Sequence, residues 1–381
     1  MVRKLTAVLL VLLLAFGSVA AHPVKEMTAS VTATLPVEEA TITAFEKYGH
    51  ATLDLTIEKI LADGYELGDT VDLEFSNGYR FENIPFFDGY YVAKGEPLLR
   101  AYPGHDTVAA CINYGRIYEV AGLSIGDSVK ISLNTKGAAL DTEILNSLHY
   151  TASREDYSSD EEYANFREVR GGDIAPGKLY RSCSPVNNKH NRASWADRLI
   201  ASAGVKSVLN LADTSEEIES YFTEEGFDSP YYKSLYENGK VIALNMSVDF
   251  SSSSFQQSLA GGIRKMVDGG YETPVLVHCT EGKDRAGFTC ALIEALMGAG
   301  YDEIVADYMK SYENYYGVTS SDEERYSVIV KNNIDEMLKT IAGVSSVGGL
   351  TPSSLSAGAR RYLLGGGMTD AEVDALISAL R

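Results

Sequence analysis

The stretch Pro274-Val275-Leu276-Val277-His278-Cys279-Thr280-Glu281-Gly282-Lys283-Asp284-Arg285-Ala286-Gly287 decides how this chain is read. Its first five residues are a short apolar run of the kind that fills a buried strand of a parallel sheet. A helical pattern, Ala286 to Met297, follows the loop. Strand, tight loop and helix in this order turn successive backbone N–H groups inward, and the helix N-terminus adds its positive end. The product is a cradle the size of a phosphate. Arg285 can close it with a two-pronged guanidinium contact. Cys279 lies at the floor, where the amides, the helix dipole and Arg285 all favour thiolate over thiol. A thiolate beneath a bound phosphorus is placed for in-line attack. No metal or other cofactor is expected, because such a loop itself stabilises the transferring charge. The six histidines, His22, His50, His105, His149, His190 and His278, are scattered along the chain.

Outward from the loop, Ser207-Val208-Leu209-Asn210-Leu211 and Val241 to Met246 are further short apolar strands. Helical patterns run over Arg192–Ala203 and Ser254–Asp268. Buried strands alternating with amphipathic helices predict an α/β domain with a central, largely parallel sheet over residues 165–381. Its tail is a helix opened by the capping box Thr369-Asp370-Ala371-Glu372. The Gly- and Ser-rich segment Gly343–Ser356 is expected to be mobile. Polar Thr151–Glu162 reads as exposed chain within a linker over residues 147–164.

Upstream the period changes. Ala51–Ile57, Thr70–Phe75 and Val129–Asn134 alternate apolar and polar residues, and Ser76-Asn77-Gly78 marks a turn. Residues 22–146 therefore read as a small, mostly-β, barrel-like domain. Tyr48-Gly49-His50-Ala51-Thr52-Leu53-Asp54-Leu55 with Leu67-Gly68-Asp69-Thr70-Val71 resembles the β-barrel domain of S-adenosylmethionine hydroxide adenosyltransferases, which also favours a barrel. Its tyrosines Tyr79, Tyr90, Tyr91, Tyr102, Tyr114 and Tyr118 read as strand residues, with a carbohydrate-binding face as the alternative. At the start, Arg3 and Lys4 precede an apolar run, Leu5 to Phe16, and the small residues Ser18-Val19-Ala20. This is the pattern of a signal peptide over residues 1–21, and it predicts a secreted or extracytoplasmic protein.

The chain has 381 residues, enough for two domains. A formal charge of −20 repels nucleic acid and anionic membrane as bulk partners. No later stretch is long and apolar enough to span a bilayer, so no stable membrane insertion is expected. Cys111, Cys183, Cys279 and Cys290 match no C-x-x-C metal spacing. Their even number admits disulfides in an exported protein, but Cys279 is expected free and Cys290 buried in its helix.

The loop resembles that of the protein tyrosine phosphatase superfamily, H-C-x5-R-x-G, and its Gly-Lys-Asp-Arg form is similar to the bacterial secreted PtpB-like group. Asn165-Phe166-Arg167-Glu168-Val169, Gly171-Gly172, Gly177-Lys178-Leu179-Tyr180-Arg181-Ser182 and the tail Ala359–Leu364 with Met368-Thr369 extend the likeness over roughly residues 160–381. The resemblance implies a phosphomonoester hydrolase working through a phosphocysteine, with Cys279 as nucleophile, Arg285 as clamp, and Thr280, Glu281, Gly282, Lys283, Ala286 and Gly287 completing the substrate cradle. It implies phosphotyrosine proteins as substrates, with phosphoinositides or inositol phosphates as the alternative. One position departs from the pattern: Ala286 stands where the superfamily has a hydroxyl that assists the second step, which leaves a phosphate-binding module without turnover as a further alternative.

A leaving oxygen needs a proton. Asp249, 30 residues before Cys279, leads as the general acid, and Asp284 and Asp213 compete with it. His278 is expected to orient the loop. Lys283 either reads a second anionic group or is a solvated lysine, and Arg181, Lys189, Arg192, Arg264 and Lys265 are candidates for a basic rim.

Overall fold

The structure, a computed structural model, describes residues 35–270 and 272–381. The signal peptide expected over residues 1–21 lies outside the described residues, as does the chain from there to residue 34.

The first unit contains β1 (Glu38–Phe45), β2 (Ala51–Thr56), α1 (Ile57–Ala62), β3 (Thr70–Phe75), β4 (Arg80–Phe87), β5 (Pro97–Arg100), β6 (Thr107–Ile112), α2 (Ile117–Ala121), β7 (Ser128–Thr135) and α3 (Leu140–Asn146). Its strands close into a barrel in the order β1-β2-β6-β5-β4-β3-β7. The closing pair is antiparallel and sets Glu38 of β1 opposite Ile131 of β7. Alternation decides which side chains fill it: Leu53 and Leu55 of β2, Val71 and Leu73 of β3, and Val129 and Ile131 of β7 share one core. Ile57, expected to extend the strand from Ala51, instead opens α1. Thr56 stops the strand by capping that helix, its side-chain oxygen accepting from Lys59 N at 3.1 Å.

The second unit begins with α4 (Asp160–Tyr163), β8 (Arg167–Glu168), β9 (Leu179–Ser182), α5 (Ala193–Ser202), β10 (Ser207–Asn210), α6 (Ser215–Tyr221), α7 (Pro230–Glu237), β11 (Val241–Ala243), α8 (Ser253–Asp268) and β12 (Val275–His278). It continues through α9 (Asp284–Leu296), α10 (Tyr301–Tyr316), α11 (Glu323–Ile329), α12 (Asp335–Ala342), α13 (Pro352–Gly365) and α14 (Asp370–Leu380). The sheet order is β11-β10-β12-β9-β8. The first four strands are parallel, and β8 pairs antiparallel with β9 at the edge. Helices cover both faces, as a parallel sheet requires.

The larger core lies on the face that packs against α9. Leu209, Val275 and Val277 point into it. Val208 and Leu276, one residue out of phase, point to the other face with Ile200, Ile218 and Tyr232. Helix α9 is buried all round from Ala286 to Leu296, so it is a central helix with no solvent face.

Two expectations change. The strand from Val241 ends at Ala243 rather than Met246, because the chain turns at Asn245 with φ 44. Helix α9 starts at Asp284 and not at Ala286, which puts Asp284 and Arg285 in its first turn. The stretch Thr151–Glu162 is mostly exposed, with Tyr157 alone in it buried, against Tyr163 and Tyr315. The segment Gly343–Ser356 is a capped junction, with Gly343 ending α12 in the left-handed region at φ 66 and Thr351 capping α13. Between the two units, Lys331 and Asn332 bond the Asp141 carboxylate on α3 at 2.7 and 3.1 Å. Among the described residues no helix is long and apolar enough to cross a membrane. All four cysteines are free thiols and buried.

Candidate active site

Strand alternation aims the first two residues of the loop in opposite directions. Val275 and Val277 face α9, so Cys279 does too, and it is 3% exposed. His278 shares the phase of Leu276 and packs its ring edge-on against Tyr232, centroids 5.7 Å apart.

The loop carbonyls are all engaged outward. His278 O accepts from Leu211 N at 2.9 Å, and Thr280 O from Ser184 N at 3.1 Å. Glu281 O accepts from Tyr315 Oη at 2.7 Å and Asn165 Nδ2 at 3.1 Å. Gly282 O and Lys283 O accept from Arg181 Nη2 at 2.8 and 3.1 Å. A peptide whose C=O points out points its N–H in. Among the described residues no protein group accepts from the amides of Thr280 to Lys283, and no side chain caps α9. The loop therefore encloses a row of free donors at a helix N-terminus, an arrangement that binds a tetrahedral oxyanion.

Two glycines and one arginine hold that curvature. Gly282 has φ 68, and a Cβ there would lie 2.2 Å from Ser182 O. At Gly287 a Cβ would lie 2.7 Å from the Tyr308 ring and 3.2 Å from Arg181 Nη2. Arg181 was expected on a basic rim. It is instead fully buried beneath the loop, ion-paired with Asp307 and spanning the Gly282 and Lys283 carbonyls. Arg192, also expected on the rim, is buried among Tyr150, Tyr157, Tyr163 and Tyr315, with its guanidinium 4.2 to 5.1 Å from the ring centroids. Lys189, Arg264 and Lys265 are exposed. These roles escaped the sequence reading because a buried arginine and a solvated one look alike in a single sequence. The only signal was Arg181's place inside an otherwise buried strand.

Arg285 leaves the first turn of α9 toward the ends of the neighbouring strands. Its Nη1 donates to Met246 O at 3.0 Å, and its Nη2 to Thr280 Oγ1 at 3.1 Å. The next residue, Ala286, is wholly buried. The hydroxyl that faces the arginine is thus Thr280's, directly after Cys279.

Lys283 is neither solvated nor free. Its Nζ lies 3.0 Å from Tyr316 Oη and 3.3 Å from Glu281 Oε2, with the Tyr312 ring centroid 5.4 Å away. Burial disfavours its charge, but Asp284 and Glu281 outweigh that and hold the ammonium above its ordinary range. Burial alone would raise the Glu281 carboxyl. Lys283, the Tyr150 hydroxyl at 2.7 Å and His190 hold it below the usual range instead. For His278, burial pushes the ring down to about 4 and Asp213 opposes only in part, so the imidazole is neutral. Its Nδ1 lies 3.4 Å from Cys279 O, and its Nε2 has no partner among the described residues.

The three acids sit in different surroundings. Asp213 is buried, and its two oxygens accept from Asn210 Nδ2 at 3.0 Å and Tyr221 Oη at 3.2 Å. Asp249 is exposed on the loop after β11 and accepts from Ser251 Oγ at 2.9 Å. That loop is pinned to α9 by Phe250, stacked on Phe288 at 5.2 Å, a contact worth about 1 kcal/mol beyond its burial. Asp284 lies in the loop itself with its side chain 41% exposed and 4.0 Å from Lys283. Its enclosed surroundings, with Glu281 adding to them, hold its carboxyl above the usual range although its outer edge is in water, and Lys283 and Arg285 pull it part of the way back.

Residues 161–381 match the sequence profile described as the tyrosine phosphatase family. A segment of 41 residues is 51% identical to the triple specificity protein phosphatase PtpB of Mycobacterium tuberculosis, covering 11% of this chain and 15% of that protein. A segment of 57 residues is 39% identical to a provisionally named tyrosine-protein phosphatase of Cupriavidus necator, covering 15% of this chain and 20% of that one. The matched segments thus span a fifth or less of these relatives. The core catalytic domain of the PP-IP phosphatase SIW14 from S. cerevisiae is 20% identical over 47% of this chain and 91% of that chain, with a TM-score of 0.27.

Proposed function

The chain belongs to the tyrosine phosphatase family, and from that membership we propose that it hydrolyses phosphomonoesters through a phosphocysteine on Cys279. The observation that carries this is the loop of outward carbonyls and free inward amides around a buried thiol. The substrate phosphoryl oxygens take the amides of Thr280 to Lys283 and the Arg285 guanidinium. Cys279 Sγ attacks phosphorus, the P–O bond to the leaving group breaks, and the leaving oxygen takes a proton. Water then attacks phosphorus, the S–P bond breaks, and the thiolate returns.

We assign the proton to Asp284. It stands in the first turn of α9 beside Arg285, and its carboxyl is held above the usual range, the direction an acid needs. This reverses the order expected from spacing, which favoured Asp249. Asp213 spends both oxygens on Asn210 and Tyr221 and serves as support behind His278. Thr280 Oγ1 takes the part of the hydroxyl absent at Ala286. His278 is a positioning residue that fixes the Cys279 peptide.

The substrate class favoured is phosphotyrosine, because Tyr316 of α10, half-buried beside Lys283, offers an aromatic face next to the cradle. Phosphoinositides are the second reading, as the likeness to a PtpB-like group suggests. Glu281 already pairs Lys283, which leaves that cation less available for a second phosphate. Steady-state hydrolysis of p-nitrophenyl phosphate in EDTA tests the proposal. Turnover that Cys279→Ser abolishes is the expected result. A wild type that binds phosphate without turnover identifies a binding module instead.

A further inference from the structure

The barrel holds a second concave site, independent of the loop around Cys279. Its cavity, about 750 Å³, opens beside the turn between β1 and β2 and the end of β5. The floor is polar and buried. Arg100 is 3% exposed, and its Nη2 and Nη1 bond Glu46 at 2.6 and 3.3 Å. Its Nε, although buried, has no acceptor among the described residues. His50 is buried beside it, its Nδ1 3.3 Å from Arg100 Nη1 and 2.9 Å from Tyr90 Oη. Burial and then Arg100 hold that ring below its ordinary range, so it is neutral.

The rim is aromatic. Tyr48, Tyr102 and Tyr114 are 68%, 42% and 84% exposed around this one cavity. Large rings left in water and gathered about a polar pocket mark a recognition surface. Tyr114 also stands at φ 56, a left-handed conformation that a bulky side chain adopts only where the surroundings impose it. An ordinary strand tyrosine does not fit that description.

Charge narrows the ligand. Arg100 is matched by Glu46 and His50 is neutral, so the floor has no excess charge to attract an anion or a cation. It does offer a carboxylate and an imidazole that accept, and guanidinium and hydroxyl groups that donate. A ligand with many neutral hydroxyls and flat apolar C–H faces satisfies floor and rim together. We propose that this cavity binds pyranose units of a neutral polysaccharide, stacked on Tyr48, Tyr102 and Tyr114 over the Arg100–Glu46 floor.

Native electrophoresis of the full chain through gels cast with a mixed-linkage β-glucan, a glucomannan, a galactomannan or a xylan tests this. Alginate and chitosan serve as anionic and cationic controls. The partner sample is the double variant Tyr102→Ala, Tyr114→Asn, in which asparagine tolerates the positive φ. Both side chains lie outside the Cys279 site, so p-nitrophenyl phosphate turnover is expected equal in both samples, and matching far-UV circular dichroism and thermal unfolding verify the barrel. Retardation of the wild type by at least one neutral glycan, weakened about tenfold or more in the variant, supports the proposal. It is overturned if no neutral glycan retards the wild type, if the variant is retarded equally, or if only alginate or chitosan acts.

Discussion

Gly282→Ala probes the loop with a single carbon atom. Two effects add. At φ 68 an alanine is strained by about 1–2 kcal/mol. Its Cβ would also sit 2.2 Å from Ser182 O, 2.3 Å from Ser182 C and 2.7 Å from Cys183 N, where real contacts stay above 3.0 Å. The atoms it meets are backbone, so the loop must move by 3.0 minus 2.2 Å, about 0.8 Å. Arg181 grips Gly282 O at 2.8 Å, so that movement breaks or stretches the brace. A displacement near 1 Å in a positioned site costs about a hundredfold in rate. Gly204→Ala is the control: Gly204 has φ 63 with nothing within 4 Å, so it carries the strain without the collision. Steady-state p-nitrophenyl phosphate kinetics with urea unfolding should show kcat/KM down about a hundredfold for Gly282→Ala. Gly204→Ala should keep its rate and lose only about 1–2 kcal/mol of stability. Wild-type turnover in Gly282→Ala would refute the idea that the loop is held against β9.

Asp284→Asn should slow aryl phosphates in proportion to leaving-group basicity, by about a hundredfold or more for poor leaving groups, while Asp249→Asn keeps the wild-type dependence. A steep dependence in Asp249→Asn returns the acid to that loop. Arg181→Met leaves Gly282 O without its donor and removes one of two arginines from Asp307, which keeps Arg167 at 2.7 Å, and should cost about 1–3 kcal/mol in urea unfolding, with turnover falling alongside. An unchanged midpoint would deny the brace. His278 is held near 4 against an ordinary 6.5, so the unfolded chain binds its proton first on acidification. Its contribution is full above pH 6.5, is lost as pH falls toward 4, and is on the order of 3 kcal/mol. His278→Asn should flatten the fall of Tm across that window, and an equally steep fall in the variant would contradict it.

What the sequence made legible follows its strongest physical signals. Period-two alternation in Thr70–Phe75 and Val129–Asn134 located barrel strands, because each buries one face. The apolar runs at Val208 and Val275 located parallel strands, because those bury both. The strand–loop–helix arrangement that brings Cys279 and Arg285 together was readable because its parts are contiguous in the chain. The supports were not: Arg181 lies 101 residues before Gly282, and Tyr150 lies 131 before Glu281. Boundaries slipped where a local cap overrode a pattern, as Thr56 does at α1. The order of the acids turned on surroundings. Spacing favoured Asp249, whereas the proposal of Asp284 rests on its place beside Arg285 in the first turn of α9. The tyrosines around Thr151–Glu162 read as linker because their partners, Arg192 and Tyr315, are distant in sequence.

The covalent step is open to direct observation. Wild-type enzyme mixed with a radiolabelled phosphotyrosine peptide and quenched in acid within one turnover should retain label on the peptide that carries Cys279. Cys279→Ser should retain none, and Arg285→Lys much less. Label that never appears on the protein while product forms, or that appears on a peptide lacking Cys279, would contradict a phosphocysteine mechanism at this loop.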